Sequence, residues 1–411
     1  MVRSNCRIAR GARGHRVALK VRIAASRGTC GVIGNCFTGV SKPGTLSALE
    51  SRRLLERNRY PMAGCRAAFR HPRIVPLLYR LPAGLLGARL LICVAACWPG
   101  HANSSETAAH RPAALELNVP AAFHFVALGD TRFHDPLDAQ PSNAAVREAM
   151  VAAVDRLQPS FISIGGDIVY DGENFRDWEV WDSETTLWRS HGIPVYPAIG
   201  NHELRGNERA GLTNYFNRFP QIDGSRYYSV RTGNCLMLVL DSSFDETAGP
   251  QGEWLKRELD GLPPAVDFVF LVLHHPPYTS SKMSYFHVGH GVRSAEGALA
   301  KMLEARQAQM HARIIVFAGH VHNYERFERG GVTYFVTGGG GAHPYIVKRA
   351  PNDLYKDPGV NYHYLLVEVT PGQVVITMNK LEFRGEKPVW TEPDSVSVPA
   401  NQSTAVRSPE R

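Results

Sequence analysis

Cysteine is scarce in this chain, and its scarcity limits what can hold the protein together. The 411 residues include 7 Cys, and Cys235 is the only one after position 97. A domain in the later part of the chain therefore cannot depend on disulfides, and it lacks the thiolates that copper(I) and iron–sulfur sites use. Cys235 lies in the alternating apolar run 234–240, so we interpret it as a small core residue.

Long apolar runs and nucleotide-binding glycine motifs are also missing. No apolar run after position 102 reaches the roughly 20 residues that a membrane-spanning helix needs. The glycines at 338–341 are not followed by the Lys-Ser or Lys-Thr pair of a P-loop, so we predict a tight turn there. The sequence therefore excludes a membrane span and a P-loop nucleotide site from this part of the chain.

Acidic residues are almost absent from the first hundred positions. Of the 46 Lys and Arg and the 38 Asp and Glu, residues 1–101 contain 18 and 2, which leaves 28 basic and 36 acidic residues afterwards. The net charge of +8 thus hides a later part with a net charge of −8. A nucleic-acid partner is not expected for a domain with this balance.

The beginning of the chain has the composition of an addressing segment. Residues 1–61 are Arg-rich without hydrophobic periodicity, so we expect disorder there, and Met62 is an alternative start. Residues 62–102 combine a charged start, an apolar middle and a small-residue end, which predicts a secretory signal and a secreted or periplasmic protein. An organellar transit peptide is an alternative. Because 94–97 resembles a bacterial lipobox, a lipoprotein anchored through Cys97 is another.

Five short polar motifs each follow an apolar run that is typical of a buried strand. Such runs, closed by Gly or Pro and separated by helical patterns, predict an α/β sheet whose strands end at a common rim. Carboxylate, amide, phenolate and imidazole groups at that rim suit iron, manganese or zinc. The motifs are Gly129-Asp130, the segment 165–170 with Asp167 and Tyr170, the segment 200–203 with Asn201 and His202, His274-His275-Pro276, and the segment 319–322 with His320 and His322.

The order G-D-x, G-D-x-x-Y, G-N-H-E, H-x-P and G-H-x-H resembles the calcineurin-like metallophosphoesterases, and in particular their purple acid phosphatase branch, over about residues 120 to 385. The resemblance implies a four-layer α/β/β/α sandwich of two mixed sheets flanked by helices. We therefore expect a catalytic domain at 115–386, followed by a Pro-, Ser- and Thr-rich tail at 387–411 that we expect to be disordered.

The resemblance also implies a centre of two metal ions. An Fe(III) ion would be held by Asp130, Asp167, Tyr170 and His322. A divalent Fe, Zn or Mn ion would be held by Asp167, Asn201, His274 and His320, so that Asp167 bridges the two cations and reduces their repulsion.

Three positions leave alternatives open. A Tyr170 phenolate would favour a trivalent ion, whereas the alternative is that this ring packs over its loop. The wider superfamily has a His two residues after the first Asp, where this chain has Arg132, which is either a phosphate clamp or a surface charge; His134 is an alternative ligand. Of the adjacent pair His274 and His275, the resemblance implies that the ligand is the one two residues before the Pro, His274, and that His275 packs beside it.

The implied reaction is hydrolysis of small-molecule phosphate monoesters by in-line attack of a metal-bound hydroxide. His202 would be the proton donor to the leaving group, and His290, favoured over His287, would contact the substrate. The alternative enzyme is a di-manganese phosphodiesterase acting on cyclic nucleotides or other diesters. A protein that binds phosphate esters without catalysis is the alternative from another class.

Overall fold

The computed structural model describes residues 111–281 and 290–401, all of which belong to one compact unit, Pro99–Arg411. The predicted disordered start (1–61), the predicted signal (62–102) with Cys97, His287, and residues 402–411 of the predicted tail lie outside the described residues. Within the described ranges, no helix combines the length and the apolar character needed to cross a bilayer.

The strands and helices of the described residues alternate through most of the chain. The strands are β1 (Ala114–Leu117), β2 (Phe123–Leu128), β3 (Ile162–Ile164), β4 (Val195–Pro197), β5 (Tyr228–Thr232), β6 (Cys235–Val239), β7 (Phe268–Leu273), β8 (Arg313–Ala318), β9 (Tyr324–Arg329), β10 (Val332–Thr337), β11 (Tyr362–Thr370), β12 (Gln373–Arg384) and β13 (Lys387–Pro399). The helices are α1 (Ala144–Leu157), α2 (Phe175–Glu184), α3 (Thr186–Ser190), α4 (Glu208–Arg218), α5 (Gly249–Asp260) and α6 (Ser294–Gln307).

Two mixed sheets form the centre of the domain. The first has the order β1-β5-β6-β7-β8-β10-β9, and the second has the order β13-β12-β11-β2-β3-β4. The strands β2, β3 and β4 are parallel neighbours in the second sheet, and β6, β7 and β8 are parallel neighbours in the first. Because parallel strands present their carboxyl ends at the same edge, each sheet delivers its loops to one rim.

The main core lies between the two sheets. Phe125 on β2 meets Phe270 on β7 and Phe317 on β8, with ring centroids 5.1 and 6.2 Å apart in edge-on arrangements. Every residue of β7 is buried, as expected for a central parallel strand that is covered on both faces. The two sheets are thus held by a continuous aromatic and aliphatic layer that fixes their relative position.

Helices cover the outer faces. Leu255 of α5 and Leu299 and Leu303 of α6 form a second buried cluster with the outward-facing residues of β7 and β8. The Asn143 side chain caps α1 by accepting from the backbone N–H groups of Ala145 and Val146. The two mixed sheets with flanking helices confirm the predicted fold class.

The predicted boundary between the domain and the tail at 386/387 was wrong. Residues 387–399 of the supposed tail form β13, which pairs antiparallel with β12 from Lys387 opposite Arg384 to Pro399 opposite Gln373. Proline is tolerated in this strand because β13 lies at the sheet edge, where one side of its backbone needs no partner. The domain therefore includes residues that composition alone assigns to a disordered tail. It also begins with β1, one residue before the predicted boundary at 115.

Candidate metal centre

The five polar motifs meet at one place. Asp130 follows β2, Asp167 follows β3 and Asn201 follows β4 in the second sheet, while His274 follows β7 and the His320/His322 pair follows β8 in the first. The two rims face each other, so that side chains from both sheets come within hydrogen-bond distance. Four residues of this rim have left-handed φ angles, Asp130 (56°), Arg132 (46°), Asp167 (53°) and His320 (71°), a strain that is typical of functional sites.

Asp130 and His322 form one end of the cluster. The Asp130 Oδ1 and His322 Nε2 atoms lie 3.4 Å apart, and within the described chain neither has a hydrogen-bond partner. Both residues are buried, and the other ring nitrogen of His322 donates to the His343 carbonyl at 2.6 Å. Two buried ligating atoms that face each other without partners fit a bound cation.

A second group of ligating atoms surrounds His274. Its Nδ1–H donates to the Gly165 carbonyl at 2.9 Å, which leaves Nε2 free to face the cluster. Nε2 lies 3.0 Å from Asn201 Oδ1, 3.2 Å from His320 Nδ1 and 3.3 Å from Asp167 Oδ1. The carboxylate, amide and imidazole atoms around His274 Nε2 are of the types that a divalent-metal site needs. His274 also belongs to two groups whose ligating atoms all lie within 4.8 Å of one another, one with Asp130 and Asp167 and one with His275 and His320.

Small residues allow the carboxylates to come this close. A Cβ atom added to Gly200 would lie 2.3 Å from Asp167 Oδ1, and one added to Gly319 would lie 2.6 Å from Asp130 Oδ2. Both distances are shorter than non-bonded contacts allow. The glycines that open the third and fifth motifs are therefore steric requirements of the site and not only turn signals.

Glu203 ties two of the loops together. It is buried, and its carboxylate accepts from the backbone N–H groups of Asp167 (2.9 Å), Ile168 (2.8 Å), Val169 (3.3 Å) and Gly200 (2.8 Å). Burial, followed by the charge of Asp167, raises the pKa of Glu203 to about 8. This residue fixes the separation of the loops that carry Asp167 and Asn201.

His202 points into the pocket from the Asn201 loop. Its Nδ1–H donates to the Tyr170 carbonyl, and its Nε2 lies 3.8 Å from Asp167 Oδ2. Burial lowers the pKa of His202 to about 4. The imidazole therefore presents Nε2 to the cluster, in neutral form near pH 7.

Tyr170 lies beside this group through its ring. The ring centroid is 5.4 Å from that of His202 and 5.1 Å from that of His134, and the Arg205 guanidinium lies 4.5 Å from it. The structure brings the ring to the edge of the cluster, and a bond from its hydroxyl to a metal stays a prediction. Both ring nitrogens of His134, the alternative ligand, are hydrogen-bonded, Nδ1 to Asp177 (2.8 Å) and Nε2 to Asp138 (3.2 Å), so neither is free to bind a metal.

Arg132 is not a surface charge. Its Nη2 lies 3.0 Å from Asp167 Oδ2, and its side chain is only 13% exposed. Burial opposes its charge, but Asp167 and Asp130 raise its pKa. The position at which the wider superfamily has a His thus holds a permanent cation against the predicted bridging carboxylate.

Three further residues close the pocket. His275 hydrogen-bonds Ser242 Oγ at 2.8 Å, and its ring centroid is 4.4 Å from that of His320. His290 lies over the cluster with its ring 4.9 Å from His320 and 4.7 Å from Tyr345. The Tyr345 ring stacks on His322 at 4.3 Å. No motif marks Tyr345, so sequence reasoning missed it; Glu203 stands in a recognised motif, but nothing in the sequence reveals its backbone contacts.

The charges of the two aspartates differ. Burial raises the pKa of Asp130 to about 7. Burial acts in the same direction on Asp167, but His274, His202 and Arg132 hold the pKa of Asp167 well below its ordinary value. Without a bound metal, Asp167 is therefore more readily ionised than Asp130. Asp130 needs a nearby cation to stabilise its charged form.

The fold and this geometry define a class. Residues 123–324 match the profile of the calcineurin-like phosphoesterase family, and this part of the chain is a calcineurin-like phosphoesterase domain. The solved structure of purple acid phosphatase PPD1 from yellow lupin (Lupinus luteus) seeds has the same fold, with a TM-score of 0.53 and 16% identity over 68% of this chain and 55% of that one.

Within that class, the chain is homologous to plant purple acid phosphatases. It is 27% identical over 242 residues to purple acid phosphatase 23 of Arabidopsis thaliana, which covers 49% of this chain and 50% of the relative. It is 30% identical over 216 residues to phosphoenolpyruvate phosphatase of Allium cepa (50% and 43%), and 28% identical over 223 residues to Fe(3+)-Zn(2+) purple acid phosphatase 12 of A. thaliana (50% and 44%). The chain thus spans about half the length of the curated relatives it matches.

Proposed function

We propose that this protein is a metal-dependent phosphatase that hydrolyses small-molecule phosphate monoesters at a centre of two metal ions. The observation that carries the proposal is the convergence of ligating atoms from five strand ends, with Asp130 Oδ1 and His322 Nε2 buried, facing each other and without partners among the described residues. The similarity to plant purple acid phosphatases supports the same class of reaction. The pattern at 62–102 supports export of the enzyme.

The donor set fits two cations of different character. Asp130, His322 and Tyr170 would hold the ion that prefers hard anionic oxygens, with Fe(III) as the proposed occupant. Asn201, His274 and His320 would hold a divalent Fe, Zn or Mn ion, and Asp167 would serve both. When bound, such ions lower the pKa of water and neutralise the charge of a phosphate group.

His202 is the proposed proton donor to the leaving group. The His202 Nδ1–H is fixed on the Tyr170 carbonyl, so Nε2 is the atom that would donate a proton to the leaving group. Because burial lowers its pKa to about 4, this imidazole carries a second proton mainly in acid, unless the negative charge of a phosphate raises its pKa. A proton donor of this kind favours turnover on the acid side of neutrality.

Metal analysis of the purified protein together with a visible spectrum tests the proposal. We expect about two metal ions per chain, a broad visible band from tyrosinate on ferric iron, and faster hydrolysis of p-nitrophenyl phosphate than of the bis ester. Manganese without a visible band, together with preference for the bis ester, would favour the phosphodiesterase instead. If the protein contains metal but hydrolyses no ester, the result would favour a protein that binds phosphate esters without catalysis.

Replacing His202 tests its role separately. His202→Ala should retain the metals, because no predicted ligand is removed, and should lower kcat by about 10²- to 10⁴-fold for esters with poor leaving groups. Esters with good leaving groups need less protonation and should be less affected. Equal losses for both kinds of ester would show that His202 is not the proton donor.

A further inference from the structure

Arg132 has an unused hydrogen-bonding group inside the pocket. One terminal nitrogen contacts Asp167 Oδ2 at 3.0 Å, while Nε is buried and has no hydrogen-bond partner in the described part of the chain. The backbone of Arg132 has a φ of 46°, and its N–H donates to the Asp167 carbonyl at 3.0 Å. The strained backbone of Arg132 directs its cationic side chain into the pocket. A charge that only faced solvent would not need this conformation.

The guanidinium is an electrostatic neighbour of the whole pocket. After burial, its charge is a cause of the lowered pKa of His202, His322 and His290. It also lowers the pKa of Tyr345, although burial raises that pKa to about 12. These side chains come from different loops around the cluster, so the charge of Arg132 acts on groups from more than one loop of the pocket.

The partner of Arg132 in this structure, Asp167, is a predicted metal ligand. Asp167 is the carboxylate that both predicted metal sites share, and bound cations would neutralise it. The guanidinium would then have both an unpaired Nε and a weakened attraction to Asp167. An arginine in this state is suited to a phosphate oxygen, because its planar fork matches two N–H donors to anionic oxygens.

We propose that Arg132 binds an anionic oxygen of the substrate phosphate that does not bridge to the leaving group, and that it thereby makes the site selective for monoesters over diesters. This inference rests on the proposed function and adds a specificity-determining residue to it. A monoester has one more terminal oxygen than a diester, so it can satisfy Arg132 in addition to the two cations. A diester replaces that oxygen with an ester group, which leaves the buried Nε of the guanidinium without an anionic acceptor.

The test compares Arg132→Gln and Arg132→Lys with the wild type in the metal-loaded protein. Calorimetric binding of inorganic phosphate is the main readout, with metal content and turnover of p-nitrophenyl phosphate and its bis ester measured in parallel. Arg189→Gln, on the exposed side of α3, is the matched control. We expect Arg132→Gln to weaken phosphate binding by about 10- to 100-fold at unchanged metal content, and to raise KM for the monoester more than for the diester. The Lys variant should fall between, because it keeps the charge and loses the fork.

Two results would overturn the inference. One is unchanged phosphate affinity in Arg132→Gln with both metals present. The other is loss of metal from both variants, which would make Arg132 only a support for Asp167. A wild-type protein that binds phosphate through Arg132 but cleaves no ester would refute the proposed function and leave the anion-binding role of Arg132 standing.

Discussion

Glu203 shows how one side chain outside the predicted ligand set can control the site. Its two carboxylate oxygens accept four backbone N–H groups from the loops after β3 and β4. These loops carry Asp167 and Asn201, whose separation would set the size of the predicted metal site. Because Glu203 is fully buried, water cannot reach these four N–H groups unless both loops rearrange. Removal of the Glu203 carboxylate would therefore leave them without acceptors.

Substitution of Glu203 should therefore reduce stability and metal content together. We expect Glu203→Ala to lower the free energy of unfolding by about 4 kcal/mol, and Glu203→Gln by about 2 kcal/mol, since glutamine keeps one of the two accepting oxygens. Urea unfolding with metal analysis measures both effects. Glu179→Gln, at an exposed position of α2, should change stability by less than about 0.5 kcal/mol. Stability equal to that of the control would show that the loops do not depend on Glu203.

At the residue scale, the sequence predicted the members of the cluster better than their partners. Asp130, Asp167, Asn201 and the three histidines could be found because each stands in a short motif after a strand. Their binding of metals stays a prediction. Tyr345 reaches the pocket only because its loop folds back over His322, a long-range contact that leaves no local pattern. For Arg132, the motif left two roles open, and only the 3.0 Å contact with Asp167 excludes the surface charge.

At the scale of elements, β13 links the two sheets. Asp394 on this strand accepts from Tyr324 Oη (2.8 Å) and forms a two-point ion pair with Arg326 (2.8 and 3.0 Å), and both partners belong to β9 of the other sheet. Composition could not predict this strand, because its Pro, Ser and Thr residues are also typical of disordered tails. What decides the structure is the paired edge of β12, which no local property of 387–399 reveals.

Removal of the Asp394 carboxylate should weaken this link. Asp394→Ala leaves Arg326 and the buried Tyr324 hydroxyl without their acceptor, so we expect the free energy of unfolding to fall by about 2 kcal/mol. Glu392→Ala removes an exposed carboxylate from the same strand and should have little effect. Denaturant titration of both variants gives the comparison. Equal stability of the two would mean that β13 is held by its backbone pairing alone.

At the scale of the whole molecule, metal binding and folding should be coupled. The predicted ligands come from both sheets, so an occupied site would join the sheets across the rim. At a free metal concentration about 100 times the Kd, binding stabilises the folded state by about 2.7 kcal/mol. We therefore expect a chelator to lower Tm by about 5–10 °C.

Asp167→Asn provides the control for this measurement. It weakens the shared ligand of both sites, so this variant should lose metals and activity, and its Tm should respond little to the chelator. If the chelator does not change the Tm of wild-type protein that contained metal, metal binding and folding are not coupled.

The two-sheet architecture was predicted, but residue patterns alone could not distribute the strands between the sheets. Buried apolar runs such as β3 and β7 indicate strands, yet they have the same periodicity whichever sheet they join. The four-layer sandwich was predicted from the resemblance to the metallophosphoesterase family, and not from the residue patterns. The pairing of β2 with β11 depends on contacts between Val126 and Leu366, which lie far apart in the sequence.

That pairing has a consequence for how the protein matures. During translation, Asp130, Asp167 and Asn201 leave the ribosome long before the histidines after β8, and β2 must wait for β11 before its second edge is filled. Contacts between such distant segments form slowly. Among the predicted ligands, an ion that arrives early finds only oxygen donors, so we expect uptake of the pair of cations among the last steps of biogenesis, after the polypeptide is complete.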